Sequence, residues 1–208
     1  MKIVAFCPIK LNNRRLPGKN VRALGGKPLL NYSIETVLYA DIFDEVYVYC
    51  SDDSICSILP QNVKFLKRSP SLDSDETKGK DIYRAFVNEV KADYYFLFHV
   101  TSPYLTKNSI FKAVDSLSSG YDSAFSAVKA QTFGWHKGLP VNFEPENPIQ
   151  TQLLDPVYLE TSSFFLAPKR SLMKGIRYGK NPYIVEVEER ESIDIDNIEE
   201  WQKAEKYL

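Results

Sequence analysis

The sequence is poor in the residues that most often announce a mechanism: 208 residues include three cysteines, two histidines and two tryptophans. Two histidines leave no His-rich metal centre, and no Ser/His/Asp, Cys/His or zinc-ligand constellation can be assembled from them. Cys7, Cys50 and Cys56 lack metal-ligand spacing and cannot all pair. Cys7 and Cys50 lie in or beside apolar runs, where cysteine behaves as a small hydrophobe, so a reduced, cytoplasmic setting is expected. No window approaches the roughly 18 apolar residues of a membrane span. The opening Met1–Cys7 run is too short for a signal segment and stops at Pro8 and Lys10, so it reads as a buried strand. Net charge is also missing: the sum is -1, without the basic excess expected of a nucleic-acid coat.

That sum hides a polarity. No acidic residue precedes Glu35, while seven basic ones do; from Glu186 to Leu208 nine acids face three bases. With 44% hydrophobic and 13% aromatic residues the chain can bury a sizeable core in a single domain, 1–208. Short apolar runs (Ile3–Cys7, Glu45–Tyr49, Val63–Leu66, Tyr94–Phe98, Ser123–Val128, Val157–Leu166, Tyr183–Val187) predict strands. Helical spacing is expected over Leu29–Tyr39, Thr77–Lys91, Lys107–Leu117 and Ile198–Tyr207, with a short helix starting near Asp52. This alternation predicts an α/β fold, a mostly parallel sheet flanked by helices in the Rossmann-like manner. Residues 131–157, proline-rich and without helical period, read as a small inserted arm.

Ligands of open α/β sheets bind at the carboxyl ends of the strands, where the segment Pro8–Asn20 falls. It carries Lys10, Arg14, Arg15 and Lys19, three asparagines and no carboxylate. Such a loop can cradle a polyphosphate, or it can be a solvated basic surface; its spacing matches neither a Walker A loop nor a dinucleotide fingerprint. In the tail, Ser192-Ile193-Asp194-Ile195-Asp196-Asn197 alternates strictly. An extended strand would project Asp194 and Asp196 to one face as hard oxygen ligands for Mg²⁺. Helix capping by Asp196 or Asn197 is the competing use.

Pro8, Leu16, Pro17, Lys19 and Asn20, followed by Leu24-Gly25-Gly26-Lys27-Pro28-Leu29, resemble the signature of the CMP-sugar synthetases, the acylneuraminate and Kdo cytidylyltransferases. Lys10, Asn13 and Arg14 stand where that family has arginine, serine and lysine. The resemblance implies a nucleotide site of Pro8, Lys10, Asn13, Arg14, Lys19 and Asn20, with Lys10, Asn13, Arg14 and Lys19 on the triphosphate. It further implies that Asp194 and Asp196 hold the divalent metal, Mg²⁺ or Mn²⁺. Arg68 and Asp75 match a family loop, which implies Arg68 beside the base; Gly79 replaces a serine that helps read cytosine. His99-Val100-Thr101-Ser102-Pro103 resembles Gln-x-Thr-Ser-Pro, so His99 and Thr101 fall on the acceptor side. His99 is either a donor to an acidic substrate or a strand-end histidine without chemistry. In the arm and just after it, Gln152 and Tyr158 match a segment of dimer contacts and sugar pocket; Thr151 and Thr161 replace an arginine and an asparagine.

The activity so implied is transfer of CMP from CTP to an acidic sugar (a nonulosonic or ulosonic acid), releasing pyrophosphate, for surface glycan synthesis. Lys10, Arg14, Lys19 and Asp194 would carry the chemistry; His99, Thr101, Gln152, Tyr158 and Thr161 would line the acceptor pocket. The arm would dimerise the chain, and neither nucleic acid nor membrane is an expected partner. Two other readings remain: nucleotidyl transfer to another acceptor, such as an alcohol phosphate, and a non-catalytic nucleotide-binding homologue. A glycosyltransferase Asp-x-Asp is a further rival, but there the motif normally follows a middle strand.

Overall fold

The alternating runs resolve into one seven-stranded sheet in a computed structural model that describes residues 1–208. Its strands are β1 (Ile3–Ile9), β2 (Glu45–Cys50), β3 (Lys64–Lys67), β4 (Tyr94–Phe98), β5 (Ser123–Ala130), β6 (Val157–Pro168) and β7 (Pro182–Glu186). Their spatial order is β7-β5-β6-β4-β1-β2-β3. All neighbours pair in parallel except β6, which runs antiparallel to both β4 and β5. The mostly parallel α/β expectation therefore holds, with a single reversed strand. No helix is long and apolar enough to cross a membrane.

Period-two alternation sorts the central strands onto two cores. Ala5, Cys7, Ile9, Val48, Phe96 and Phe98 meet α1 (Leu29–Ala40) and α3 (Lys107–Asp115) on one face. Val4, Phe6, Tyr95 and Leu97 meet α2 (Gly79–Glu89) on the other, together with Leu172 of α4 (Lys169–Met173). Phe6 stacks on Phe86 with ring centroids 4.1 Å apart. Burial on both faces explains why β1 is an apolar run rather than an alternating one. All three cysteines are free, with Cys7 and Cys50 buried.

Several boundaries move. The first strand continues past Cys7 to Ile9, taking in Pro8. Its pairing with β4 ends at Phe6–Leu97, so Pro8 has a neighbour only on the β2 side, opposite Tyr49, where a missing N–H is tolerated. The helix expected near Asp52 is a tight 3₁₀ turn, Asp53–Ile58, capped by the Asp52 carboxylate, which accepts from the Ser54 N–H at 2.9 Å. The arm lies between β5 and β6, with one short hairpin pairing Trp135–His136 with Leu139–Pro140.

A third core decides where the two charged ends go. Leu16 of the basic loop, Leu24, Leu29 and Tyr104 pack with Ile193 and Ile195 of the tail and with Trp201 and Ala204 of α5 (Ile198–Glu205). Residues 193–196 form no strand; the single ladder-like bond is Ile195 N–H to the Thr101 carbonyl, 2.8 Å. The alternation nevertheless holds, because burying each isoleucine is worth ~1.5–3 kcal/mol. That clamps the tail against the loop and turns Asp194 and Asp196 the other way.

Candidate active site

The basic loop leaves β1 at the carboxyl edge of the sheet and folds back on itself. Asn20, almost fully buried, donates from Nδ2 to the Lys10 carbonyl at 2.9 Å and so closes the loop. Lys10, Asn12, Asn13, Arg14, Arg15, Leu16 and Lys19 line a cavity of about 220 Å³ whose remaining walls are Asp75 and Asp196. Head and tail charges therefore meet in one place. Larger cavities of about 540 and 680 Å³ lie elsewhere, lined by none of these loop residues. Residue chemistry, not size, singles out the smaller one.

Within it the charges pair across the mouth and across the floor. Lys10 Nζ lies 3.4 Å from Asp75, which also pairs with Arg14. Arg14 is 81% exposed. A solvent-facing carboxylate here stands on the same cations that an incoming phosphate oxygen would use, and an exposed pair of this kind is weak enough to be exchanged. On the floor, Asp196 accepts from Lys19 at 2.5 Å and Arg15 at 2.6 Å. Burial opposes ionisation of Asp196, but the bonds from Lys19 and Arg15 outweigh it and hold the carboxyl below its ordinary range.

Two placements differ from the expectations. Lys19 lines the cavity but is no free phosphate ligand: it is 6% exposed, and its ammonium is committed to Asp196 and to the Ile195 carbonyl at 2.7 Å. It braces the tail. Arg68 is not beside an open base pocket either, being 1% exposed. Its guanidinium ties the Ile9 carbonyl (3.0 Å) and the Tyr49 carbonyl (3.4 Å) to Asp73, which stiffens the root of the loop from below.

Capping falls to Asn197 and not to the aspartates beside it. Asn197 is the α5 cap: it accepts from the Glu200 N–H at 2.9 Å, and its own N–H donates to Glu200 at 3.1 Å. Glu200 also accepts from the Asp196 N–H at 2.6 Å, leaving the Asp196 carboxylate outside the cap. Asp194 has no cap role, and its Oδ1 is buried without a hydrogen-bond partner. No cluster of three or more His, Cys, Asp or Glu side chains forms a metal site. A hard cation held by two carboxylates and completed by substrate phosphates needs none.

Orphaned polar atoms gather here. Besides Asp194 Oδ1, the buried Asn13 Oδ1, Asn20 Oδ1, Ser102 Oγ and Arg68 Nε have no partner. Such groups are expensive to leave unmatched, and finding so many at one edge points to a ligand that completes them. Three are acceptors, suited to hydroxyl or amino donors.

His99 follows β4 into the same edge. Its Nδ1 lies 2.5 Å from the Ser162 carbonyl, which can only accept, so Nδ1 carries the proton. Burial keeps the imidazole pKa below its ordinary value, against the raising effects of that bond and of Asp194 and Asp196. The neutral ring then presents Nε2 as an acceptor. The sequence left His99 open between a donor to an acidic group and a strand-end histidine without chemistry; with Nδ1–H engaged by Ser162, the ring has no second N–H to donate. Ser162 itself adopts φ +59°, a left-handed conformation rare for non-glycine residues, at the irregularity where β6 loses register with β5.

The remaining acceptor residues are placed unevenly. Thr101 reaches the site through its carbonyl, the anchor of Ile195. Thr161 donates to Ser126 Oγ at 2.7 Å beside the β6 irregularity. Gln152 bonds only to its neighbour Gln150, and Tyr158 reaches Glu186 at 3.5 Å; neither lines the loop cavity. Arg15 and Ser102, which the sequence reading did not single out, belong to the site. Arg15 carried only the signal of its charge within the basic run, and Ser102 only its place beside Thr101.

Comparison with known proteins bears on the family and the fold. The cytidylyltransferase family model matches residues 5–142. The chain is 29% identical to N-acylneuraminate cytidylyltransferase A of Danio rerio, covering 93% of this chain and 47% of that protein. It is 25% identical to the CMP-N,N'-diacetyllegionaminic acid synthase of Legionella pneumophila, covering 100% of this chain and 97% of that one. Thus the chain spans about half the length of several relatives it matches and nearly all of another. In fold it is similar to a CMP:2-keto-3-deoxy-manno-octonic acid synthetase solved with CTP, with TM-score 0.73 and 14% identity over 100% of this chain and 98% of that one. The chain belongs to the cytidylyltransferase family.

Proposed function

We propose that this protein transfers CMP from CTP to an acidic sugar and releases pyrophosphate. The observation that carries the reading is the meeting of the cationic loop with Asp196 of the tail, among unsatisfied polar atoms that include Asp194 Oδ1, at the carboxyl edge of the sheet. The relatives' names include N-acylneuraminate and pseudaminic acid cytidylyltransferases, which supports an acidic 2-keto sugar as acceptor.

In this reading the triphosphate displaces Asp75 from Lys10 and Arg14, which then bear the charge growing on the departing pyrophosphate. Lys19 and Arg15 hold the Asp196 carboxylate in place. The orphaned oxygens of Asn13 and Asn20 accept from nucleotide hydroxyl or amino groups. The acceptor's anomeric hydroxyl oxygen bonds to the α-phosphorus, the bond from that phosphorus to the oxygen it shares with the β-phosphorus breaks with its electron pair leaving on pyrophosphate, and the hydroxyl proton passes to solvent. His99 Nε2 accepts from an acceptor hydroxyl and orients it. Little covalent chemistry is asked of the protein, so alignment and charge dominate. Asp194 and Asp196 suit Mg²⁺ or Mn²⁺, which when bound would offset phosphate charge and lower the pKa of the attacking hydroxyl.

The exposed Trp135, Leu139, Val141, Ile149, Leu153 and Leu159 of the arm and its junction support a homodimer built through the arm. Free thiols and the use of CTP support a cytoplasmic enzyme supplying activated sugar for surface glycan synthesis. Pyrophosphate release from CTP and from UTP, with Mg²⁺ and a panel of nonulosonic and ulosonic acids, tests the activity. Metal-dependent release with CTP and at least one acid is expected. Release only with an alcohol phosphate would move the protein to another acceptor class. CTP binding without release from any acceptor would make it a non-catalytic homologue.

A further inference from the structure

An acid acceptor brings a second anion to an edge whose loop cations already have work. Lys10 and Arg14 face Asp75, while Arg15 and Lys19 face Asp196. The arm offers little: from Gln131 to Glu160 the one lysine or arginine is Lys137, in an exposed turn. A cation does stand on the far side of His99. Arg177, in the segment between α4 and β7, lies with its guanidinium carbon 4.0 Å from the centre of the Phe165 ring. His99 meets the same ring edge-on, with centroids 6.4 Å apart and planes at 75°. Phe165 pairs with Leu97 near the carboxyl end of β4, so one ring ties both side chains to the ligand-binding edge. Arg177 is also a cation whose charge acts on His99.

The guanidinium is held but not saturated. Nη2 donates to Glu160 Oε1 at 3.2 Å, the Tyr83 and Tyr178 hydroxyls lie within its reach, and its side chain is still 30% exposed. Tyr178 donates to the other oxygen of Glu160, which fixes that carboxylate. Arginine has five N–H donors in a planar fork, so donors remain for a second carboxylate. We infer that Arg177 is the anchor for the acceptor's carboxylate, oriented by Phe165 and Glu160 and set beside His99. His99 would then read a neighbouring hydroxyl of the same molecule. The inference rests on the acid-sugar reading above and adds a specificity residue to it.

The test compares wild type with Arg177→Met, Arg177→Lys and Glu160→Gln, using N-acylneuraminate, N,N'-diacetyllegionaminate and pseudaminate, each against its carboxamide. Arg177→Met is expected to raise the KM of the best acid about 10- to 100-fold while leaving the KM of CTP within about twofold. It should also erase most of the preference for acid over carboxamide. Arg177→Lys should recover part of that preference. Glu160→Gln loosens the orienting pair but keeps the guanidinium, and should raise the acid KM only about two- to fivefold with the acid preference retained, whereas a purely structural pair predicts that both changes weaken the enzyme alike. Unchanged acid KM and preference in Arg177→Met would overturn the inference, as would equal rises in both KM values with a lowered melting temperature. A wild type that turns over an alcohol phosphate and none of the acids would instead overturn the underlying reading, and the inference with it.

Discussion

The two edges of the sheet treat their charges in opposite ways. At the amino edge every named polar group is matched nearby. Glu45 is bridged by Lys2 at 2.6 Å and by Lys64, the Lys2 N–H donates to Asp93 at 2.7 Å, and the Ile3 N–H donates to Asp44 at 2.7 Å. A cavity of about 540 Å³ lies there as well, so room alone does not mark a site. At the carboxyl edge the loop cations reach across to distant acids, and five buried polar atoms have no partner. A folded protein tolerates that deficit where a ligand makes it good, so the contrast between satisfied and unsatisfied edges locates function better than size does.

The comparison can be broken most sharply at Asp194. Asp194→Asn keeps the shape and the neighbours but removes the charge; metal-dependent turnover should fall about a thousandfold. Chemical unfolding should move by less than ~0.5 kcal/mol, because no cap or ion pair is lost. Unchanged turnover would remove the metal assignment. Arg14→Ala acts on the exposed mouth. It should raise the KM of CTP about 10- to 30-fold with stability nearly unchanged, and steady-state kinetics at varied CTP measure it. A neutral result would return the loop to solvated surface.

The amino edge supplies the smallest effect and the opposite kind. Hydrogen bonds from Lys2 and then Lys64 lower the Glu45 carboxyl from its ordinary 4.5 to about 2. A depressed carboxylate contributes its full stability above the unfolded value, and loses it as pH falls from 4.5 through about 2. Glu45→Gln should therefore cost ~1 kcal/mol at neutral pH and differ less from wild type below pH 3, with turnover unaltered. Denaturant midpoints across that range measure it.

Much of this was legible in the sequence because it is local. Apolar runs such as Tyr94–Phe98 had one sensible use, and the loop after β1 had to fall at the ligand edge. The Ile193/Ile195 alternation holds, although the strand expected there is absent: packing against Leu16 and Trp201 enforces the pattern without a ladder. What could not be read depends on long-range partners. Nothing near Arg68 in sequence says that the Ile9 carbonyl will claim it, and nothing near Lys19 says that Ile195 will bury it. His99 could not be assigned as donor or acceptor until the Ser162 carbonyl engaged its Nδ1–H. Arg177 has no motif around it and gains meaning only from Phe165 and Glu160.

The central claim is that the carboxyl edge is completed by CTP and a divalent metal, and a crystal structure with both bound tests it most directly. The account predicts the triphosphate in the loop cavity, Asp75 displaced from Lys10 and Arg14, and the metal on Asp194 and Asp196. CTP bound in either larger cavity, with the Asp75 pairs intact and Asp194 Oδ1 still without a partner, would contradict it.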